Sequence, residues 1–478
     1  MKGTVNAMSL ENTHFGYEKI REILADGPKK IFFSGVGGIS MNSLAKVCVS
    51  RGHTVAGYDR TRTPITISLE DLGVEMHYES SADIVHGYDV FVYTVAIPDD
   101  DPAYVEAGRL MLPRISRADF LGYIMMGYES RIGISGMHGK STTTGITASV
   151  YEAAGLDPTV FGGATLKGTG SSNILGGTSA FIFEACEYMD SFLDFYPTTA
   201  VVLNIEMDHV DYFKSMEQIR NSFTAFMAKA EYAVVNFEDE DVMCAARAAG
   251  VKLVTFGSEG SGADYTSSNV RFDHGRAEFD ILYKGDLLCH AKMNVPGRHL
   301  VTDSLAVAAA AHNDGVSGEA IARGLSSYGG IGRRMELKGK TVTGADVYDD
   351  YAHHPTEIKT TLKTASELGY NKTVCVFQPH TFSRTAELIE GFADVLADNA
   401  FDSVILAPIY PAREVNVYGV SSEQLSDMVC KKGKECRVID TFDGITEYLE
   451  NNFKTGDAIF VIGAGDVNKV SHMLVKNA

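Results

Sequence analysis

Short apolar runs that end in glycine turns and lead into helical patterns recur along the chain. The run Ile31–Phe33 enters the turn SGVGG, and the pattern over Met41–Val49 predicts an amphipathic helix. The next run, TVAGYD, ends at Asp59, and the later run DVFVYTVAI closes near Ile97. Strands that alternate with helices in this way predict an α/β domain with a largely parallel sheet.

A second segment repeats this alternation. Its predicted strands are RIGISG at 131–136, AFIFEA at 180–185 and TAVVLNI at 199–205. A stretch rich in Gly, Ser and Asp at 257–272 predicts a surface loop before the short strands VRFD and AEFDILY. The pattern LAVAAAAH that follows predicts a helix.

A third segment begins after the turn GGIGRR at 329–334. Its predicted strands are DVYDDYA, TVCVFQP, SVILAPI and AIFVIGAG, and helical patterns such as PTEIKTTLKTASEL separate them. We therefore predict three α/β domains, with boundaries at residues 1–127, 128–332 and 333–478.

Composition narrows the class of protein. The 478 residues carry a net charge of −20, so the chain has no excess of Lys or Arg to neutralise a nucleic-acid backbone. The seven cysteines include no CxxC pair, which argues against a disulfide framework and a zinc site. No stretch approaches the roughly 20 apolar residues of a membrane span, and the N-terminus has no apolar signal region. We expect a cytoplasmic protein that is not inserted in a membrane.

The strongest chemical motif is GMHGKSTTT at 136–144, placed after a predicted strand and before a predicted helix. A glycine turn at a helix N-terminus directs backbone N–H groups at phosphates. Lys140 would reach the outer phosphates, and the Ser141 hydroxyl would coordinate Mg²⁺. Because Ile134 stands where the full phosphate-loop pattern has its first glycine, the loop is a shortened variant.

Acidic residues and a histidine follow the next two predicted strands. Glu184 and Glu187 come after AFIF, while Asp208, His209 and Asp211 come after VVLNI. The carboxyl ends of strands in an open α/β sheet are where ligands bind, and Mg²⁺ prefers oxygen ligands. Taken alone, each motif fits solvated turn residues or a helix N-cap as well as it fits a metal site. With Lys140, the group indicates a Mg–ATP site.

The first glycine turn, SGVGGIS, is a less specific indicator of function than GMHGKSTTT. Gly35 and Gly37 have the spacing of a dinucleotide-binding turn, and Asp59 is suitably placed for a ribose hydroxyl, but Ser40 replaces the third glycine. The turn alone is compatible with an NAD-dependent dehydrogenase. The terminal turn IGAGDVNK at 462–469 is interpreted as a tight strand–helix junction.

Two motifs of the third segment, DDYAHHPTE and FQPHTFSRT, place acids, histidines and an arginine at predicted strand ends. Arg384 could hold a carboxylate through two parallel hydrogen bonds. His380 or His353 could orient a substrate amine.

Taken together, these motifs resemble the Mur ligases of bacterial cell-wall synthesis. The resemblance runs through GVGGISM, TVAIP, SRADFLG, GMHGKSTTT, FEACEYMDSFL, NIEMDHVDYF, VPGRH, GIGRR, DDYAHHPTE, PHTFSRT and GAGDVNK, in that order. It implies an N-terminal Rossmann-like domain for a UDP-sugar, a central P-loop ATPase-type domain with a parallel sheet, and a C-terminal Rossmann-like domain for an amino acid. The implied reaction joins L-alanine to the lactyl carboxylate of UDP-N-acetylmuramate in peptidoglycan precursor synthesis, with ATP and Mg²⁺.

The resemblance also implies site residues, position by position. The catalytic residues would be Lys140, Glu184, His209, Arg334 and Asp350. ATP would contact Gly136, Met137, His138, Gly139, Lys140, Ser141, Thr142, His299, Arg334 and Asp350, and Mg²⁺ would be held by Ser141, Glu184 and His209. The UDP-sugar would contact Gly35, Gly37, Gly38, Asp59, Thr94, Arg117 and Asn173, and the amino acid would contact Tyr351, His353, His380 and Arg384.

One departure and several alternatives accompany this interpretation. After VPGRH the family has two asparagines, where this chain has Leu300 and Asp303. The enzymatic alternative is a related ligase that adds a whole peptide to the same nucleotide. A UDP-sugar-binding paralogue with impaired catalysis is a second alternative, disfavoured by the retention of Lys140, Glu184 and His209. A dehydrogenase is disfavoured by the phosphate loop.

Overall fold

Three parallel-type sheets form the framework of the protein in a computed structural model. The structure describes residues 10–167, 169–209, 212–398, 400–412 and 414–476. These residues form two compact units. The first contains the described residues up to Thr266, with Ile281–Cys289 and Leu305–Gly324, and the second contains Ser267–Asp280, His290–Ser304 and the described residues from Leu325 onward.

The first domain contains a five-stranded sheet. Its strands are β1 (Lys30–Ser34), β2 (Thr54–Tyr58), β3 (Glu75–His77), β4 (Val90–Tyr93) and β5 (Arg114–Ser116). Its helices are α1 (Gly16–Ile23), α2 (Ile39–Ser50), α3 (Pro64–Glu70), α4 (Pro102–Arg109) and α5 (Arg117–Met125), with a 3-10 turn at Ala82–Val85. The strands are parallel in the order β3-β2-β1-β4-β5. This doubly wound order places the turn after β1 at the switch point of the sheet, where ligands bind.

The second domain is built on a ten-stranded sheet. Its strands are β6 (Ser130–Ser135), β7 (Thr159–Phe161), β8 (Asn173–Ile174), β9 (Ala180–Glu184), β10 (Thr199–Val202), β11 (Tyr232–Asn236), β12 (Lys252–Gly257), β13 (Tyr265–Asp273), β14 (Arg276–Tyr283) and β15 (Asp286–Pro296). Its helices are α6 (Lys140–Ala153), α7 (Met216–Met227), α8 (Glu240–Ala249), α9 (His299–Asn313) and α10 (Gly318–Ser327), with a 3-10 segment at Tyr188–Asp194. The order is β15-β14-β13-β12-β11-β10-β6-β9-β7-β8. Because β6 lies between β9 and β10, the segments that follow these three strands are neighbours.

The third domain has a six-stranded sheet. Its strands are β16 (Glu336–Lys340), β17 (Asp346–Asp350), β18 (Thr373–Phe377), β19 (Ser403–Leu406), β20 (Glu435–Val438) and β21 (Ala458–Ile462). Its helices are α11 (Pro355–Ser366), α12 (Phe382–Leu396), α13 (Ser422–Lys431), α14 (Phe442–Asn452) and α15 (Asn468–Lys476). The order is β16-β17-β21-β18-β19-β20, and β16 alone runs antiparallel to its neighbour. The carboxyl ends of β17, β21, β18 and β19 therefore meet at one edge.

The apolar runs form strands because both faces of these sheets are covered. Residues of β4, β10, β18, β19 and β21 are buried throughout, as expected for parallel strands with helices on both sides. Their side chains are therefore nearly all apolar, and the polar chemistry falls on the segments that follow the strands.

Two boundaries differ from the sequence-based prediction. The strand expected to close near Ile97 ends at Tyr93, because a turn follows in which the Ile97 N–H donates to the Thr94 carbonyl at 3.3 Å. The loop predicted over 257–272 is shorter, since β13 already begins at Tyr265 and pairs with β12. Among the described residues, no helix is long and apolar enough to cross a membrane.

Candidate active site

The loop between β6 and α6 has the form of an anion-binding turn. Gly136 and Gly139 have φ angles of +140° and +85°, and α6 begins at Lys140. A Cβ on Gly136 would lie 3.1 Å from the Leu203 Cβ, so this position needs glycine both for its backbone and for its packing. Thr142, in the first turn of α6, is buried. The predicted strand–turn–helix arrangement is thus present in the structure.

Asn204, two residues past the end of β10, fixes the conformation of this loop. Its Oδ1 accepts from the His138 N–H at 2.9 Å, and its Nδ2 donates to the His138 carbonyl at 3.0 Å. The imidazole of His138 pairs with the carboxylate of Glu206. The side chain of Met137 is buried in the core. The loop is therefore held by hydrogen bonds from the neighbouring strand end.

Lys140 lies in a charged cluster with Glu187 and His209. Its Nζ is 3.1 Å from Glu187 Oε2, and Glu187 Oε1 is 3.2 Å from His209 Nε2. Burial acts to lower the pKa of Lys140, but the charge of Glu187, the smaller contributions of Cys186 and Glu184 and the hydrogen bond with Glu187 together outweigh it, and the pKa is raised. Burial acts to raise the pKa of Glu187, but Lys140 and the hydrogen bond with His209 hold it below its usual range. The pair is therefore an ammonium and a carboxylate.

Ser141 and Glu184 form the second polar pair beside the loop. The Ser141 hydroxyl donates to Glu184 Oε2 at 2.8 Å, and the same oxygen accepts from the Gly163 N–H at 2.9 Å. A hydroxyl and a carboxylate this close offer the hard oxygen donors that Mg²⁺ prefers, and Mg²⁺ takes its remaining ligands from water and phosphates. The donor chemistry of Ser141 and Glu184 therefore fits this ion.

His209 is held in an unusual backbone conformation. Its φ is +50°, its N–H donates to Asp208 Oδ1 at 2.6 Å, and its ring packs against Tyr188 at a centroid distance of 4.9 Å. Within the described residues, no three His, Cys, Asp or Glu side chains converge as a metal site. His209 faces Glu187, and its predicted role as a metal ligand stays a prediction. Asp211, another predicted candidate, lies outside the described residues.

The first glycine turn, after β1, closes on two side chains. The Gly37 N–H donates to Asp59 Oδ2 at 2.9 Å, and a Cβ on Gly37 would lie 2.6 Å from that oxygen. Gly35 has a φ of +82°, and a Cβ there would lie 2.6 Å from Thr94 Cγ2. Gly38 is the N-cap residue of α2. The predicted UDP-binding residues Gly35, Gly37, Gly38, Asp59 and Thr94 are thus neighbours.

Two further predicted UDP-sugar residues reach the same helix start. Asn173 Nδ2 donates to the Ile39 carbonyl at 3.1 Å and to the Ser43 hydroxyl at 2.8 Å. Arg117 is 3.5 Å from the hydroxyl of Ser40. The first turn of α2 therefore receives polar side chains from β8 and α5, which lie outside the glycine turn in the sequence.

In the second unit, Arg334 and Asp350 lie at the carboxyl end of β17. Arg334 donates to Glu357 Oε1 at 3.2 Å. Asp350 accepts from the Met335 N–H at 3.0 Å and the Ala352 N–H at 2.9 Å. Burial raises the pKa of Asp350, and the charge of Arg334 partly offsets this rise. Their role in binding the nucleotide stays a prediction.

The four predicted amino-acid residues belong to one cluster at this edge. The rings of Tyr351 and His353 are 5.5 Å apart, those of His353 and His380 are 6.0 Å apart, and His380 stacks on Tyr410 at 5.5 Å. Arg384 is 3.4 Å from His380 Nδ1. Burial, with the charges of His353 and Arg384, lowers the pKa of His380 to about 4. The His380 imidazole is therefore neutral at physiological pH and can accept a hydrogen bond.

The start of α9 carries His299 and the two residues that depart from the family pattern. Burial, with the charge of Arg334, lowers the pKa of His299 to about 4. Leu300 and Asp303 are both buried. A Cβ on Gly297 would lie 2.7 Å from His299 Cε1, so glycine is required for this ring position. His299 therefore lies close enough to Arg334 for their charges to interact.

The terminal glycine turn joins β21 to α15 and packs tightly. A Cβ on Gly465 would lie 2.4 Å from Gln378 Oε1 and 2.8 Å from the Tyr410 ring. Arg333 donates to the Gly463 carbonyl at 2.6 Å. The turn is a strand–helix junction of the predicted kind, and it supports Tyr410 at the edge of the amino-acid cluster.

Models of the Mur ligases match this chain in three consecutive regions. The Mur ligase family catalytic domain matches residues 30–129, the Mur ligase middle domain 134–311, and the Mur ligase glutamate ligase domain 333–465. The chain belongs to the Mur ligase family. The three-domain α/β architecture follows from this membership and agrees with the three sheets.

Several Mur ligases of known name are similar over nearly the whole chain. The UDP-N-acetylmuramate–L-alanine ligase of Caldicellulosiruptor saccharolyticus is 41% identical over 450 residues, which cover 93% of this chain and 98% of that protein. The ligase of the same name from Clostridium novyi is 39% identical over 456 residues, which cover 95% and 98% of the two chains.

Solved structures show the same architecture. The UDP-N-acetylmuramate-alanine ligase of Thermotoga maritima has a TM-score of 0.77 at 26% identity, with 94% of this chain and 98% of that chain covered. A murein peptide ligase of Psychrobacter arcticus has a TM-score of 0.66 at 22% identity, with the same coverage. The latter similarity concerns the fold alone.

Sequence reasoning missed several residues that contact the candidate residues within the two units. Asn204 and Arg333 were not singled out, although Asn204 is the last but one residue of the predicted strand TAVVLNI and Arg333 lies in the motif GIGRR. Tyr410 directly follows the predicted strand SVILAPI and carries no motif of its own. The available signal was position, because polar residues at the ends of buried parallel strands meet at one edge.

Proposed function

We propose that this protein joins L-alanine to the lactyl carboxylate of UDP-N-acetylmuramate at the expense of ATP, a step in peptidoglycan precursor synthesis. The observation that carries the proposal is the loop from β6 to α6, in which Lys140 lies beside Glu187 and Ser141 beside Glu184. Relatives about 40% identical over nearly the full chain bear the name of this activity.

The nucleotide site in this proposal is the glycine loop at the start of α6. Backbone N–H groups at the helix N-terminus and the ammonium of Lys140 would bind the phosphates. Ser141, Glu184 and His209 are the residues that we propose to hold Mg²⁺. When bound, the ion would supply positive charge against the phosphate oxygens.

The chemistry needs activation of a carboxylate, because a carboxylate oxygen is a poor leaving group. In the mechanism that family membership implies, the lactyl carboxylate attacks the terminal phosphorus of ATP and forms an acyl phosphate and ADP. The amine of alanine then attacks the acyl carbon, and inorganic phosphate leaves from the tetrahedral intermediate. Lys140 would stabilise the negative charge on the transferred phosphoryl group.

The amino acid would bind in the cluster of the third domain. The guanidinium of Arg384 suits the carboxylate of alanine. His380 is neutral because burial lowers its pKa, so it can accept a hydrogen bond from the amine without repelling it. Tyr351 and His353 would border the side of this pocket.

The UDP-sugar would bind at the first glycine turn, where backbone donors at the start of α2 face the switch point of the first sheet. We also propose the domain boundaries 1–127, 128–332 and 333–478. The seven cysteines, all within the described ranges, are free thiols. This supports the proposal that the enzyme acts in the reducing cytoplasm.

Phosphate release tests the proposal directly. Purified protein with ATP, Mg²⁺ and UDP-N-acetylmuramate should release phosphate when L-alanine is added. A tripeptide offered in its place should give little release, because the expected pocket accepts a single amino acid. Comparison with glycine and serine measures the selectivity for the methyl side chain. Release that depends on the tripeptide, or on no amine at all, would show that another activity is correct.

A further inference from the structure

The ammonium of Lys140 is fully engaged within its own loop. It donates to the Gly136 carbonyl at 2.6 Å and the Met137 carbonyl at 3.2 Å, and it lies 3.2 Å from Glu187 Oε1. An ammonium has three N–H donors, so each of them has an acceptor here. A phosphate that binds to Lys140 must therefore displace at least one of these partners.

Glu187 is the partner with the strongest competing charge. Its side chain is 0% exposed, against 12% for that of Lys140, and its Oε1 contacts both Lys140 Nζ and His209 Nε2 at 3.2 Å. A buried carboxylate is stable only when a counter-charge and hydrogen bonds compensate for lost hydration. Lys140 supplies the charge, and His209 supplies a further hydrogen-bond contact.

We propose that Glu187 is a positioning residue that holds Lys140 when the loop is empty and competes with the phosphates of the nucleotide for its ammonium. This rests on the proposed function in one respect, namely that the ligand of the loop is a nucleoside phosphate. Binding exchanges one buried ion pair for another. Because Glu187 also contacts His209, its carboxylate retains one partner when Lys140 turns to the phosphate.

The proposal makes a prediction about affinity that a purely structural role does not make. Replacing Glu187 by glutamine removes the charge and keeps the shape. Lys140 is then left partly buried without its carboxylate, a costly arrangement that an incoming phosphate relieves. Nucleotide binding should therefore become tighter, although the lysine and the histidine are held less well for the reaction.

The test is a calorimetric titration of ADP without Mg²⁺ into wild type and Glu187→Gln. We expect Kd to fall about threefold to tenfold in the variant and kcat to fall about tenfold or more. The rise in unfolding temperature that ADP causes should also be larger in the variant, because the stabilisation by a bound ligand grows with the logarithm of its affinity.

A double substitution shows whether Glu187 acts through Lys140. In a Lys140→Ala background, Glu187→Gln should leave the Kd of ADP unchanged, because the two residues form one interaction. Glu206→Gln is the matched control, since Glu206 pairs with His138 in the same loop. We expect it to change Kd by less than about twofold. An equal gain in affinity from Glu206→Gln would indicate a general charge effect and overturn the proposal.

Other outcomes of these experiments would also overturn the proposal. If Glu187→Gln is folded and binds ADP equally or more weakly than wild type, Glu187 does not compete with the phosphate. If Glu187→Gln does not fold, Glu187→Asp replaces it in the test, because the shorter side chain draws the carboxylate away from Lys140. Glu187→Asp should also bind ADP more tightly than wild type. Weaker binding of ADP by Glu187→Asp would overturn the proposal. Absence of ADP binding by wild type would instead contradict the proposed function.

Discussion

At the scale of single residues, Asp303 shows how burial alone sets a protonation state. It lies in the second turn of α9, is 7% exposed, and its Oδ2 makes no hydrogen bond with the residues that the structure describes. Burial raises the pKa of Asp303 to about 8. The folded protein therefore holds this carboxyl as a neutral acid at pH 7, where an unfolded chain would ionise it.

This protonation makes stability depend on pH. Because the folded pKa lies above the unfolded value of about 3.9, folding loses up to about 1.4 kcal/mol per pH unit as pH rises from 4 to 8. Asp303→Asn is neutral at every pH and avoids this loss. Its advantage over wild type in unfolding temperature should grow from pH 5 to pH 8 and level off above. The exposed control Asp286→Asn should show no such trend, and a constant gap for Asp303→Asn would show that the carboxyl is ionised in the fold.

At the scale of elements, the helix that begins at Lys140 packs closely against α10 at Val150. Gly324 of α10 lies against the backbone of α6, and a Cβ on Gly324 would be 2.4 Å from Val150 Cα. Backbone atoms cannot rotate away as side chains do, so the two helices would have to separate. The position of α6, and of the glycine loop that precedes it, therefore depends on a glycine far from them in the sequence.

Gly324→Ala should destabilise the protein by about 1–3 kcal/mol, the usual cost of overpacking, even though alanine favours a helix. Chemical denaturation measures this as a lower midpoint at an unchanged slope. The control is Gly391→Ala in α12, where the added Cβ would meet Pro355 Cγ at 3.3 Å and Pro355 Cβ at 3.6 Å, and it should be close to neutral. Equal changes in stability for the two substitutions would show that helix propensity, not packing between α6 and α10, determines the effect of Gly324→Ala.

At the scale of the whole molecule, stability comes from packed sheets without covalent cross-links. Each sheet is covered by helices, and the strands that bear the sites are almost fully buried. The seven cysteines are free thiols, three of them buried in these cores. A chain of 478 residues can bury enough apolar surface to fold without disulfides.

Reduction should therefore leave the stability unchanged. We expect the same unfolding temperature with and without dithiothreitol, because a reductant acts on stability through a disulfide that constrains the unfolded chain. Scanning calorimetry of freshly purified protein under both conditions makes the measurement. A lower unfolding temperature in the reduced sample would reveal a disulfide between two of these cysteines.

Local pattern predicted much of the fold and the local structure around the candidate residues. The strand–turn–helix around Lys140 follows from apolar runs, glycine positions and helical periodicity, which act over neighbouring residues. The same holds for the turn after β1, for the strand that ends at Asp350 and for the strand that precedes His380. Strand ends were less predictable, as at Tyr93, because a turn hydrogen bond decided where pairing stopped.

By itself, the sequence determined the α/β class, the glycine turn between β6 and α6, and the candidate residues of each motif. Only the tertiary structure decided which of these candidate residues contact one another. In the second sheet β6 lies between β9 and β10, an order that differs from the order along the chain. That order brings Glu187 to Lys140 and Asn204 to His138. The reason is physical, since hydrogen bonding between parallel strands sets these neighbours over distances that no local pattern encodes.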